Sequence, residues 1–153
     1  MKKIIEEINW KIISHLKKGR KSFKEIADSL SMAENTVKSR VRKLEQDGVI
    51  DITAMINPET VEGHQIVLVG IQVKDLSYVK TGEKLSRLKG VISVCVVTGR
   101  FDFIILVHLD SRLGLLEFLD HELAKIKGIT VSETFIVYKS FNLKIPPPDT
   151  DQT

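Results

Sequence analysis

Asn35, Lys38, Ser39, Arg42 and Lys43 lie in residues 30–50 at spacings that, at about 100° per residue, gather them on one side of a helix. Together they offer amide, hydroxyl and cationic donors with almost no acid. That is the chemistry of contact with phosphates and base edges in a DNA groove. Val37, Val41 and Leu44, at i, i+4 and i+7, mark the opposite stripe as buried. A charged helical face is more often simply solvated, so the residues before it decide the reading. Ser22 and Glu25 stand at capping-box spacing, and Phe23, Ile26, Ala27 and Leu30 supply a short apolar face. A compact helix over 22–30 therefore runs directly into the basic one, which Gly48 ends. This is a helix-turn-helix, whose second helix enters the major groove.

A second group, Val97-Thr98-Gly99-Arg100-Phe101-Asp102, separates two strand-like runs. Asp102 could accept from the ammonium of a free amino acid, while backbone N–H groups around Gly99, Arg100 and Phe101 could donate to its carboxylate. The plain alternative is a hairpin turn in which Gly supplies positive φ and Asp caps. No metal or cofactor is expected. Cys95 is alone and cannot form an internal disulfide, no Cys/His pair has zinc-ligand spacing, and His15, His64, His108 and His121 are scattered. Each His reads as a hydrogen-bonded or surface imidazole. No acid/base or nucleophile constellation supports an enzyme. The N-terminus lacks the apolar core of a signal peptide, and no apolar run approaches ~18 residues. A cytoplasmic, soluble protein with no membrane partner is the expectation.

The 153 residues, 42% hydrophobic, suffice for one medium domain or two small ones. Charge favours two functional parts: residues 1–50 carry +5 and the remainder −2. A first helix is expected over 9–18, capped by Asn9 and stopped by Gly19, and three helices make the DNA-binding domain, 1–50. Residues 49–56 read as a strand broken by Asn57-Pro58-Glu59, making 51–64 a linking strand and hinge. Strands follow over 65–73, 91–98, 103–109 and 129–143. Helices are expected over 81–89, ending at Gly90, and over 111–127, capped by Ser111 and ending at Gly128. Domain 65–145 is thus βαββαβ, a ferredoxin-like arrangement in an α+β chain, and 146–153, opening Pro146-Pro147-Pro148, is a disordered tail. The strands VLVGIQV, VISVCVV and FIILVHL are apolar on both faces, yet two helices cover only one. A second copy of the sheet covers the other most simply. The resulting homodimer would present two basic helices about a two-fold axis, as a palindromic DNA site requires.

Across about Glu6 to Leu143 the sequence resembles the Lrp/AsnC family of feast/famine transcriptional regulators. The residues that carry the resemblance are Ile26-Ala27, Thr36-Val37-x-x-Arg40-Val41-x-x-Leu44-Glu45-x-x-Gly48-Val49-Ile50, and Gly99-Arg100-Phe101-Asp102-Phe103, which is similar to the family's glycine-x-aromatic-aspartate turn. The resemblance implies an amino-acid-sensing domain that dimerises through its sheet, with further assembly commonly into octamers. It adds Thr36 and Arg40 to the candidate DNA contacts, and it sets Thr134 and Ile136 of the last strand facing the turn, to complete an effector pocket between dimers with Gly99, Arg100, Phe101 and Asp102. This chain departs from the family at Ser31, where a glycine is usual, at Ala33, where a capping Ser is usual, and at Phe101, where Tyr is usual. Ser31 with Glu34 has capping-box spacing, so the recognition helix could begin early. The leading reading is a sequence-specific DNA-binding regulator that answers to a small molecule, an amino acid. Two alternatives are a sirohaem-decarboxylase-like enzyme on the same fold and an architectural DNA-binding protein of low specificity.

Overall fold

The computed structural model describes residues 4–17, 19, 21–74 and 77–148, and the chain divides into two compact units, Met1–Thr53 and Ala54–Thr153. The first unit is built from α1 (Glu7–Lys17), α2 (Phe23–Leu30) and α3 (Glu34–Gln46). Ser22 and Glu25 form the expected capping box: the Glu25 N–H donates to Ser22 Oγ at 3.2 Å, and the Ser22 N–H to Glu25 Oε2 at 2.7 Å. Ile12, Ile26, Ala27, Val37 and Val41 form the core, with Leu16, Phe23, Leu30, Met32 and Ile50 packed around it.

Three expectations for residues 1–56 need correction. Asn9 does not cap α1, because the Glu6 carbonyl already accepts from the Asn9 and Trp10 amides and starts the helix earlier. The expected last residue, Lys18, lies outside the described residues. Ser31 does not open α3: at φ 53° it is left-handed and closes α2, donating to the Ala27 and Asp28 carbonyls. No strand forms over 49–55. Only Ile56 pairs, in a single bridge with Ile145, since no neighbouring strand is there to satisfy a longer ladder.

The second unit is an antiparallel sheet in the order β2-β3-β1-β4, formed by β1 (Gln65–Val73), β2 (Val91–Val96), β3 (Phe103–Leu109) and β4 (Ile129–Ile136). With α4 (Tyr78–Leu85) after β1 and a helical segment after β3, this is the ferredoxin-like order expected. The second helical segment begins as α5 (Leu115–Glu117) and continues as a π turn (Phe118–Glu122) and a 3-10 turn (Leu123–Lys125). Its cap is Gly114 and not Ser111, because Asp110 and Leu113 bond each other's backbones in both directions and turn the chain there. β4 stops well before residue 143, since the Val137 N–H to Ile66 carbonyl bond already reaches the start of β1.

Val67, Val69, Ile71, Phe103, Ile105 and Val107 face the helices and pack with Leu85, Phe118 and Leu123. On the other face, register aligns Leu68 with Leu106 and Phe135, and Gly70 with Ile104 and Glu133. That face is less uniformly apolar than the sequence suggests. Its centre is Leu68, Ile104 and Leu106, and its margins include the exposed Ser93 and Cys95 and the polar Gln72 and Glu133. Pro146 to Pro148 are ordered against this unit, following the buried Ile145, which corrects the tail expectation for those three; residues 149–153 lie outside the described residues.

Candidate functional site

α3 is held to its unit by Val37, Val41 and Leu44, each at most 5% exposed, so its opposite face must point to solvent. Asn35, Thr36, Lys38, Ser39, Arg42 and Lys43 are all exposed there. Lys38 is tied to Glu34 at 2.7 Å, one turn earlier. Arg42 and Lys43 make no ion pair among the described residues, which leaves their charges for an external anion. Ala33 supplies no side-chain cap; its carbonyl accepts from the Thr36 and Val37 amides, which leaves the Glu34 and Asn35 amides at the open end of α3 to receive a phosphate oxygen.

Arg40 is a correction. It sits beside the buried stripe, and its Nη1 donates to Glu6 Oε2 at 2.8 Å and to Asn9 Oδ1 at 3.0 Å. It fastens α3 to α1 and does not share the outward face. The partners that reveal this role lie 31 and 34 residues away, beyond the reach of local pattern reading.

In the second unit the 97–102 turn folds back over the sheet. The Asp102 N–H donates to the Ile71 carbonyl at 2.9 Å and the Val97 N–H to the Asp102 carbonyl at 3.0 Å. Both Asp102 carboxylate oxygens are engaged: Oδ2 accepts from the Val73 N–H at 2.9 Å, and Oδ1 accepts from the Tyr78 hydroxyl at 3.3 Å. Desolvation, and then the Asp102 charge, push the Tyr78 hydroxyl above the usual phenol range, so it stays a donor. Phe101 lies on Gly70, where an added Cβ would come within 2.6 Å of the ring, and it meets Phe135 edge-on at 6.3 Å between centroids. Arg100 stacks 5.3 Å from the Phe101 centroid and pairs with Glu133 at 2.8 Å. The Gln72 side-chain amide donates to the Arg100 carbonyl.

Thr134 and Ile136 do not face this turn. They pair with Val69 and Val67, whose side chains face the helices, whereas the turn lies on the Gly70 face. Glu133 and Phe135 are the β4 residues that meet it. A one-residue change of parity separates the expected pair from the observed one, and Gly70, the only side-chain-free position on that face of β1, was the sequence feature that could have located it.

Comparison with known proteins matches residues 66–144 to the Lrp/AsnC ligand binding domain and residues 5–51 to a winged helix-turn-helix DNA-binding model. The HTH-type transcriptional regulator FL11 of Pyrococcus furiosus is 31% identical over 141 residues, 91% of this chain and 93% of that protein. Ptr1 of Methanocaldococcus jannaschii, also an HTH-type transcriptional regulator, is 27% identical over 90% of this chain and 95% of its own. Among solved structures, E. coli AsnC superposes with TM-score 0.70 at 25% identity, covering 90% of this chain and 95% of that one. The leucine response regulatory protein of Mycobacterium tuberculosis gives 0.75 at 28%, covering 90% and 94%.

Proposed function

The chain belongs to the Lrp/AsnC family and is a DNA-binding transcriptional regulator with a ligand-binding domain, not an enzyme; from that premise we propose that its effector is a free amino acid and that it reads a specific palindromic duplex as a dimer or larger assembly. One observation carries the effector reading: the ion pair of the exposed Arg100 with the partly buried Glu133, 2.8 Å apart beside the open backbone of Gly99. A zwitterion bears the same two charges in reverse. Its carboxylate takes Arg100, its ammonium takes Glu133, and the Phe101 and Phe135 rings receive its side chain. Asp102, with both oxygens already engaged, holds the turn in shape and is not the first partner of the ammonium. The name of the leucine-responsive relative supports an amino acid in this role.

Assembly rests on the sheet face bearing Leu68, Ile104 and Leu106 with the half-exposed Phe135, an apolar centre that a second copy covers by isologous packing. On the DNA side, Asn35 and Ser39 are the base-reading candidates and Arg42 and Lys43 the phosphate contacts, with Thr36 and Lys38 on the flanks. The regulator acts in the cytoplasm, and among the described residues no helix is long and apolar enough to cross a membrane. Selecting bound duplexes from a random pool, with and without an amino-acid mixture, tests the whole proposal. A two-fold symmetric consensus whose recovery changes with the mixture is expected; recovery of unrelated sequences under both conditions favours the architectural reading instead.

A further inference from the structure

At the opposite end of β3 from the 97–102 turn, a cavity of about 560 Å³ opens beneath the Gly90 turn and against Pro146 to Pro148. Four cationic side chains line it, Arg87, Lys89, Arg112 and Lys125, against two carboxylates, Asp110 and Glu122. Both carboxylates are engaged. Asp110 Oδ2 pairs with Arg112 at 2.8 Å while Oδ1 accepts the Arg112 N–H at 2.8 Å; Glu122 pairs with Lys125 at 2.6 Å and accepts the Lys89 N–H at 3.1 Å. Arg87 and the Lys89 ammonium form no ion pair among the described residues, and among the described lining residues cations outnumber carboxylates by two while His108 is neutral.

His108 also lines the cavity and is only 6% exposed. Its Nε2 lies 2.8 Å from His64 Nδ1, and its Nδ1 has no hydrogen-bond partner among the described residues. Among the described residues no fully buried side-chain nitrogen or oxygen lacks a partner, so Nδ1 keeps some exposure, and His108 lines the cavity. Burial, then the neighbouring His64, hold the imidazole below its usual pKa and so neutral. A neutral ring can still donate: if His64 Nδ1–H donates to His108 Nε2, the His108 proton sits on Nδ1.

We propose that this cavity is a second small-molecule site, taking a compact dianion, a phosphate monoester or a dicarboxylate, on Arg87, Lys89 and the Nδ1–H of His108. A zwitterionic amino acid fits poorly, because its ammonium would find each carboxylate already committed to a cation and a backbone amide. The site is therefore chemically distinct from the amino-acid turn, and it would let the regulator register an organic acid or phosphorylated metabolite alongside its effector.

Calorimetry on the full chain tests this with inorganic phosphate, succinate and leucine as probes, on wild type, the Arg87→Gln/Lys89→Gln double variant and Arg100→Gln. Phosphate or succinate should bind saturably, and the better of the two identifies a phosphoryl or a dicarboxylate ligand. Binding should weaken at least about tenfold in the double variant and stay unchanged in Arg100→Gln. Nitrogen NMR of His108 should show Nδ1 protonated in the bound form. The proposal is overturned if neither anion binds saturably, if binding survives the double substitution or fails in Arg100→Gln, if leucine displaces the anion, or if the bound ring carries its proton on Nε2.

Discussion

Replacing Gly70 by Ala tests how the effector turn is seated. The backbone at Gly70 needs no left-handed conformation, so Ala meets no local penalty, but its Cβ would lie 2.6 Å from two atoms of the Phe101 ring and 2.8 Å from a third. The ring must lift from the sheet, which loosens its edge contact with Phe135 and the stacking of Arg100. Overpacking of this kind costs ~1–3 kcal/mol. In a Phe101→Ala background the space is empty, and the same substitution becomes an ordinary Gly-to-Ala change in a strand, stabilising by ~0.5–1 kcal/mol. The sign of the effect should therefore reverse between backgrounds, a coupling of about 1.5–4 kcal/mol in a urea-unfolding double-mutant cycle. Gly70→Ala should also lose amino-acid binding while DNA affinity without effector persists. Equal destabilisation in both backgrounds would refute the seating of Phe101 on Gly70.

Ser31→Gly relieves about 1 kcal/mol of left-handed strain and returns part of it as unfolded-chain entropy, so the urea midpoint of the first unit should rise by ~0.5 kcal/mol equivalent, whereas Ser31→Val should lower it by more than ~1. Arg40→Ala should cost about 1 kcal/mol of stability through its lost bonds to Glu6 and Asn9 and leave the salt dependence of DNA binding unchanged. His108 has a folded pKa below its ordinary 6.5, so the unfolded chain binds more protons just below that pH. Stability should fall as pH drops from about 6.5 toward the lowered value, and His108→Gln should flatten this window in unfolding curves measured from pH 7.5 to 5.

β1 and β3 were legible residue for residue because unbroken apolar runs are bounded by turn residues on both sides, and Ser22 with Glu25 announced α2 through a purely local motif. The facing of β4 was not legible. In ITVSETFI apolar residues occupy both parities, so neither 133 and 135 nor 134 and 136 stand out until the pairing with Gly70 is known. The start of the last helical segment was hidden for a related reason: Ser111 has the chemistry of a cap, but the Asp110–Leu113 backbone bonds use that stretch for a turn. Asp102 illustrates a residue type compatible with two roles. Only the positions of the Val73 amide and the Tyr78 hydroxyl assign its oxygens to holding the turn.

Whether the outward face of α3 meets DNA is tested most directly by the salt dependence of duplex binding. Arg42→Ala and Lys43→Ala should each reduce the slope of log K against log salt by ~0.9 for the phosphate contact removed, weakening all sequences alike, while Asn35→Ala should cost ~1–3 kcal/mol at one position of the preferred site. Unchanged slope, affinity and sequence preference in the Asn35→Ala/Arg42→Ala/Lys43→Ala triple variant would contradict the account.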